Sequence, residues 1–348
     1  MNQTIRKGTK LFLGTTRSDT DDLPGSGSEN PVLIGSVQNM KGRRRAFTLV
    51  ELLIVIAIIA ILAAILLPVL NKAQPRAVNI GAVNNVRQLV IAWKMYSTDN
   101  NGWLPPDRNS EKYPSWCAGQ MRNANAYNAE PSVGVAPYST AEDYTNTALL
   151  LDPKFSVMGS FISNWKIFLD PGDQSTWQDP GKPRNGRVRS FSMSCAFDYD
   201  FKDDGDFLGG GTTSSPFRHF AKESDIIGIS PSDLWVFLDE HPDSINDGLF
   251  DFEMPSGGLS GLTTHYIDMP AAYHNGACAF AFADCHAELH AWRDPGVFPL
   301  VDWNVEQTSA PIAAMSSNIS GNPDFLWLVA HTSVAMPAGS VWIPPTAP

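Results

Sequence analysis

Residues 43–67 read RRRAFTLVELLIVIAIIAILAAILL: three arginines, then a run that holds no polar side chain from Leu52 to Leu67. The 21 residues from Phe47 to Leu67 make a helix of about 30 Å at 1.5 Å per residue. That length matches the hydrocarbon thickness of a bilayer. Arg43, Arg44 and Arg45 sit just before the run, so the positive-inside rule keeps the N-terminus in the cytoplasm and sends the C-terminal body outside. A secretory signal peptide would have a shorter apolar stretch with a small-residue cleavage site behind it; here the processing site lies ahead of the run. Glu51 stands within this segment. A carboxylate there is costly and points to a function with a partner, the alternative being a side chain that reaches up to headgroup water.

Outward from that stretch, the chain of 348 residues divides by composition. Net charge is −11, but residues 1–46 carry eight basic and four acidic side chains, which leaves 17 basic, 32 acidic and a net of −15 for the rest. Such a body is repelled by phosphate backbones, so nucleic acid is not an expected partner. A charged fraction of 18% with 10 Trp and 26 Pro predicts a turn-rich, largely β head. Cys117, Cys195, Cys278 and Cys285 include no Cys-x-x-Cys pair, which argues against a zinc ribbon. Outside the cytoplasm they can pair in three ways; the other reading is four small buried hydrophobes.

After Pro68 the pattern stays helical and becomes amphipathic, with Val83, Val86, Leu89, Val90, Trp93 and Tyr96 on one stripe. Pro75 and Gly81 are expected to kink or loosen it, and Asp99-Asn100-Asn101-Gly102 to end it. Arg187–Phe197 and Leu234–Leu238 read as strands, and Ala277–Phe282 with Ala287–Trp292 as a hairpin with Asp284-Cys285 at its tip. The expected fold is therefore α+β: a long N-terminal transmembrane and amphipathic helix packed as a stalk on a largely antiparallel, β-rich head with long loops. The expected boundaries are 1–46 for a leader, 47–70 for the membrane helix, 71–100 for the stalk and 101–348 for the head, including the 274–292 hairpin element.

The stretch Arg-Arg-Arg-Ala-Phe-Thr-Leu-Val-Glu, residues 43–51, resembles the cleavage and methylation motif of type IV prepilins and type II secretion pseudopilins. The resemblance implies a cut between Ala46 and Phe47 by a membrane prepilin peptidase, which also methylates the new N-terminus at Phe47. It makes Glu51 the fifth mature residue and Pro68 the helix-kinking proline. The family's leader usually ends in Gly, so Ala46 is a departure. Leaders of the family are short, and Met40-Lys-Gly-Arg-Arg-Arg-Ala has the usual length, so translation is expected to start at Met40; a cytoplasmic extension is the rival reading. The free amine of Phe47 is cationic, and Glu51 of an adjacent subunit can neutralise it where helices pack, which also fixes the stagger between subunits.

The head resembles a group of prepilin-type proteins, abundant in planctomycetes, verrucomicrobia and lentisphaerae, that carry a His-x9-Asp-Gly element. His274 and Asp284 stand at its ends, and Phe168–Asp173 (FLDPGD), Arg189–Met193 and Asp239–Gly248 also match. Cys285 replaces the usual Gly, so strain or a different turn is expected there, and Asp170 stands where many relatives have Cys.

The candidate chemistry of the head can be weighed residue by residue. Asp239, Glu240, Asp243 and Asp247 form an oxygen-rich cluster suited to a structural Ca2+, an ion that some pseudopilins bind. The spacing is not that of an EF-hand, and Asn246-Asp247-Gly248 reads equally as a turn. Cys285, His286 and His290 do not suit zinc, because residues four apart on a strand lie about 13 Å apart. His274 and Asp284 invite a base-and-acid reading, yet no nucleophile elbow accompanies them; a hydrogen-bonded pair that locks the hairpin is expected instead, and no enzymatic activity. The function expected is a structural subunit of a type II secretion or type IV pilus-like filament at the inner membrane. Its expected partners are the peptidase, other pilins and the assembly platform. The alternatives are a membrane-anchored adhesin or binding protein and, further off, a surface hydrolase.

Overall fold

The computed structural model describes residues 47–107, 114–119, 121, 143–177, 185–197, 217–252, 266, 268–298, 300–301, 321–337 and 340. One helix, α1 (Leu49–Asp99), runs without a break through Pro68 and Pro75. Its first part, to Ile59, belongs to one structural unit and the rest of the chain to another. Within the first unit every apolar side chain from Leu49 to Ile59 is exposed, as a membrane-facing segment requires and a water-facing one does not.

In the second unit α1 becomes one-sided, as the stripe predicts. Ala82, Val86, Leu89, Val90 and Trp93 are buried, whereas Arg87, Gln88 and Ile91 are exposed. Gly81 serves contact: a Cβ there would come 2.9 Å from Pro171 Cγ. The helix ends where expected, with Gly102 N–H donating to Ser97 O at 2.8 Å. Asn101 and Gly102 both lie at positive φ, the conformation that closes helix C-termini.

The head holds a five-stranded sheet in the order β5-β3-β4-β6-β7. These strands are β3 (Phe191–Ser194), β4 (Trp235–Asp239), β5 (Leu249–Phe250), β6 (Ala277–Phe282) and β7 (Ala287–Ala291). A separate two-stranded ribbon pairs β1 (Thr176–Trp177) with β2 (Asn185–Gly186). All sheet pairs are antiparallel except β3 with β5, where Met193 stands against Leu249 in a parallel register. Residues of β3, β4 and β6 are buried throughout, while β7 is a half-exposed edge. On β6, the Phe280 ring meets Trp327 of α2 (Pro323–Ala330) at 5.1 Å. Strand alternation puts Ala277, Ala279 and Ala281 on the opposite face, and Ala279 and Ala281 share one core cluster with the α1 stripe.

The strand expected over Arg187–Phe197 is shorter than its alternation implied. Only Phe191–Ser194 pairs, and Cys195–Phe197 closes into a 3₁₀ turn. Arg187 and Arg189 are buried and bond main-chain carbonyls of Pro242 and Asp247. Their hydrogen bonds, rather than a ladder, hold that segment. Cys117, Cys195 and Cys278 are buried and Cys285 is half-buried.

Candidate functional site

At the start of α1, Thr48 and Glu51 cap the helix reciprocally. Thr48 N–H and its hydroxyl donate to Glu51 Oε2 at 2.8 and 2.9 Å, and Glu51 N–H donates to Thr48 Oγ1 at 3.2 Å. This Thr-x-x-Glu capping box satisfies two of the four donors a helix N-terminus leaves open. The sequence carried the signal in Thr48-Leu49-Val50-Glu51. Within one chain Glu51 is thus bonded to Thr48, and Phe47 is exposed. Ala46 and the leader lie outside the described residues. Among the described residues, α1 alone is long and apolar enough to cross a membrane.

In the head, the expected pair of His274 and Asp284 does not form. Asp284 Oδ1 accepts from His286 N–H at 3.0 Å and lies 2.6 Å from His286 Nδ1 at the exposed hairpin tip. His274 is buried at the other end of β6. A six-residue strand separates the two ends by roughly 20 Å at 3.3 Å per residue, so both cannot serve one site. What places His274 is the turn after it. Asn275 and Gly276 have φ of 58° and 79°, the double positive φ of a type I′ turn, which Asn-Gly favours.

His274 meets two carboxylates from distant segments. Its Nε2 lies 2.8 Å from Asp170 Oδ2 and 3.4 Å from Asp239 Oδ2, and its Nδ1 lies 3.0 Å from Asn79 Oδ1 on α1. Asp170 is positioned by a tight turn, its Oδ1 accepting Gly172 N–H at 2.6 Å and its own N–H donating to Ser190 Oγ at 3.1 Å. Asp239 ends β4 and accepts the Tyr273 hydroxyl on Oδ1 at 2.8 Å. Burial pushes His274 down, but the hydrogen bonds and charges of Asp170 and Asp239 outweigh it and hold the imidazole up at about 10. Asp239 is pushed well up, first by burial and then by the nearby Asp170 charge. Sequence reading missed Asp170 and Asn79 as members of this cluster; Asp170 drew notice only because many relatives have Cys there.

The four carboxylates read as a calcium cluster turn to separate partners. Asp239 faces His274. Glu240 accepts from Ser244 Oγ at 2.9 Å and from Ser192 Oγ, and burial lifts it to about 8 against those bonds and Arg189. Asp243 Oδ2 lies 3.8 Å from His241 Nδ1, and Asp247 Oδ1 accepts Leu249 N–H at 3.0 Å. Consecutive residues at a strand end point to opposite faces, which divides the set. Among the described residues, the group whose donor atoms all lie within 4.8 Å of one another is Asp170, Asp239 and His274. A cleft of about 1250 Å³ reaches His274, lined also by Gln74, Asn79, Gly172, Tyr273 and Asn275.

Residues 41–67 match the prokaryotic N-terminal methylation motif. Two relatives extend the likeness. The type IV wide pilus major component PilA4 of Thermus thermophilus is 48% identical over 67 residues, 19% of this chain and 48% of that protein. The type IV major pilin protein PilA of Myxococcus xanthus is 31% identical over 158 residues, 41% of this chain and 71% of that protein. This chain belongs to the type IV pilin family. It spans about half the length of the Thermus pilin. No solved structure matches. As a type IV pilin relative, the chain has the α+β layout expected of it: a long apolar N-terminal helix that continues into a mixed, mostly antiparallel head.

Proposed function

We propose that this pilin-like chain is a structural subunit of a cell-surface filament, cut between Ala46 and Phe47 and assembled through the first part of α1. The observation that carries the reading is the unbroken exposure of apolar side chains from Leu49 to Ile59, inside the stretch 41–67 that matches the methylation motif. A helix apolar on every face is stable only in lipid or against other helices. In the membrane it anchors the chain by one span, with Arg43–Arg45 on the cytoplasmic side and the acidic head outside. In the filament the same surface packs on copies of itself or on other pilins.

Glu51 then has two successive partners. In the single chain it holds Thr48; on assembly it neutralises the amine of Phe47 in a neighbouring subunit, since an unpaired charge in an apolar core is strongly unfavourable. The peptidase, the inner membrane and the assembly platform are the partners this cycle requires. The head's part is structural recognition within the filament rather than catalysis. The type IV pilus is the closer system, given the two relatives' names, with type II secretion the other.

The test is expression with a prepilin peptidase in a filament-forming bacterium, read by N-terminal sequencing and electron microscopy. Filaments bearing the head are expected for the natural chain. With Glu51→Ala, cleavage before Phe47 should persist while filaments fall to background. A chain that is cut normally yet stays a dispersed, membrane-bound monomer would sink the polymer reading in favour of display of an anchored binding head.

A further inference from the structure

Three segments far apart in the chain each turn one donor atom toward a common point. His274, Asp170 and Asp239 each offer one donor atom within 4.8 Å of the others, and all three residues are buried. Asp239 Oδ2 has no hydrogen-bond partner; the imidazole nitrogen facing it is 3.4 Å away. The charged imidazole is the positive centre that offsets this buried carboxylate, though without an aligned hydrogen bond to Oδ2. The second atom of each group is already fixed. Gly172 N–H holds Asp170 Oδ1 at 2.6 Å, the Tyr273 hydroxyl holds Asp239 Oδ1 at 2.8 Å, and Asn79 Oδ1 accepts from His274 Nδ1 at 3.0 Å. Hydrogen bonds of this kind, one behind each donor, orient metal ligands and set the histidine tautomer.

We propose that Asp170, Asp239 and His274 form a binding site for a divalent metal ion of the zinc class. Zinc bonds of about 2.0–2.2 Å place neighbouring tetrahedral donors about 3.3 Å apart. The 3.4 Å between Nε2 and Asp239 Oδ2 already has that spacing. The 2.8 Å contact with Asp170 opens by about half an ångström to admit the ion. One imidazole and two carboxylates do not suit calcium, which takes six to eight oxygens at longer bonds. The charges balance as well: the ion takes the place of the proton on Nε2, and a dication with two carboxylates and a neutral imidazole is neutral overall.

Access comes from the cleft that Gly172, Tyr273 and His274 line, and a water or a ligand from the cleft fills the fourth position. Gly172 keeps the site open, since a Cβ there would stand 3.1 Å from both Asp170 Oδ1 and His274 Cε1. The bound ion ties the 170–173 turn, the end of β4 and the turn before β6 together, with α1 attached through Asn79.

Calorimetric titration of zinc chloride into the full chain, in detergent and stripped by a chelator, tests this. One zinc ion per chain is expected, with a higher melting temperature in its presence. His274→Gln and Asp239→Asn should abolish the one-to-one isotherm while Asp284→Asn, at the exposed hairpin tip, should not change it. Circular dichroism checks that each variant folds. Should a ligand variant not fold, Asn79→Ala keeps all three ligands and should weaken zinc about 10–100-fold. The proposal is overturned by a natural chain that takes up no zinc at this stoichiometry, by a folded Asp239→Asn or Asn79→Ala chain that binds it as the natural chain does, or by saturation with calcium chloride and not with zinc.

Discussion

At the scale of single residues, two positions show packing and burial overriding local preference. Gly81 sits mid-helix, where a better helix former such as Leu would gain about 0.8–1 kcal/mol by propensity. Its missing Cβ is the space Pro171 occupies, 2.9 Å away, so contact rather than looseness explains the glycine. Gly81→Leu should therefore destabilise the head by about 1–3 kcal/mol, the usual cost of overpacking, read as a lower midpoint in denaturant. His290 offers a pH test. Its ring stacks 3.6 Å from Trp327, and burial holds it down at about 4 from an ordinary 6.5, against the pull of Asp324 and helped by His331 and Arg293. A depressed histidine binds its proton less readily when folded, so its contribution is present above pH 6.5 and is lost as pH falls toward 4. The melting temperature should drop over that window, and His290→Phe should flatten the drop. An unchanged slope in that variant would rule His290 out as the cause.

At the scale of elements, the β6–β7 hairpin was the most legible part of the head. Period-two alternation and a two-sided apolar run mark both arms, and all five registers from Ala277–Ala291 to Ala281–Ala287 pair in order. The turn is legible too: Cys285 takes φ of 71°, where the family resemblance has a glycine. Its sulfur also reaches Val90 O on α1 at 3.9 Å, so substitution removes a contact as well as strain. Comparing Cys285→Gly with Cys285→Ala separates the two, since both lose the sulfur and only glycine relieves the backbone. The Gly variant should be the more stable by about 1–2 kcal/mol, measured by chemical denaturation. The membrane helix, its amphipathic continuation and its Asn-Gly stop were equally plain, because local periodicity and turn chemistry encode them. The acid–histidine cluster was not. His274 and Asp170 are 104 positions apart and His274 and Asn79 are 195 apart; no spacing rule links residues that only tertiary pairing brings together. The segment 187–190 misled for a related reason: alternation there reflects buried arginines bonded to carbonyls, not a ladder.

At the scale of the whole molecule, exposure and burial along α1 define which part of the chain can stand alone. Large exposed apolar side chains crowd Phe47–Leu70, whereas from Ala82 to Trp93 the buried stripe belongs to the core of the head. Val86, Leu89, Val90 and Trp93 are fully buried, and at about 1.5–3 kcal/mol each they supply roughly 6–12 kcal/mol. That is comparable with the whole net stability of an ordinary domain, about 5–15 kcal/mol. Further ties run from the same helix half: Asn85 donates to Leu169 O at 2.8 Å, and Lys94 pairs with Glu223 at 2.7 Å. Two truncations should therefore behave oppositely. A chain of residues 71–348 loses the lipid-facing surface and keeps the stripe, so it should be soluble, folded and monomeric without detergent. A chain of residues 100–348 loses the stripe and exposes the apolar surface that it covers, so it should aggregate or lose its near-ultraviolet circular dichroism. Size-exclusion chromatography and a thermal melt distinguish them. If the shorter chain folded as stably as the longer one, the second half of α1 would be an appendage, and the head would hold its core without it.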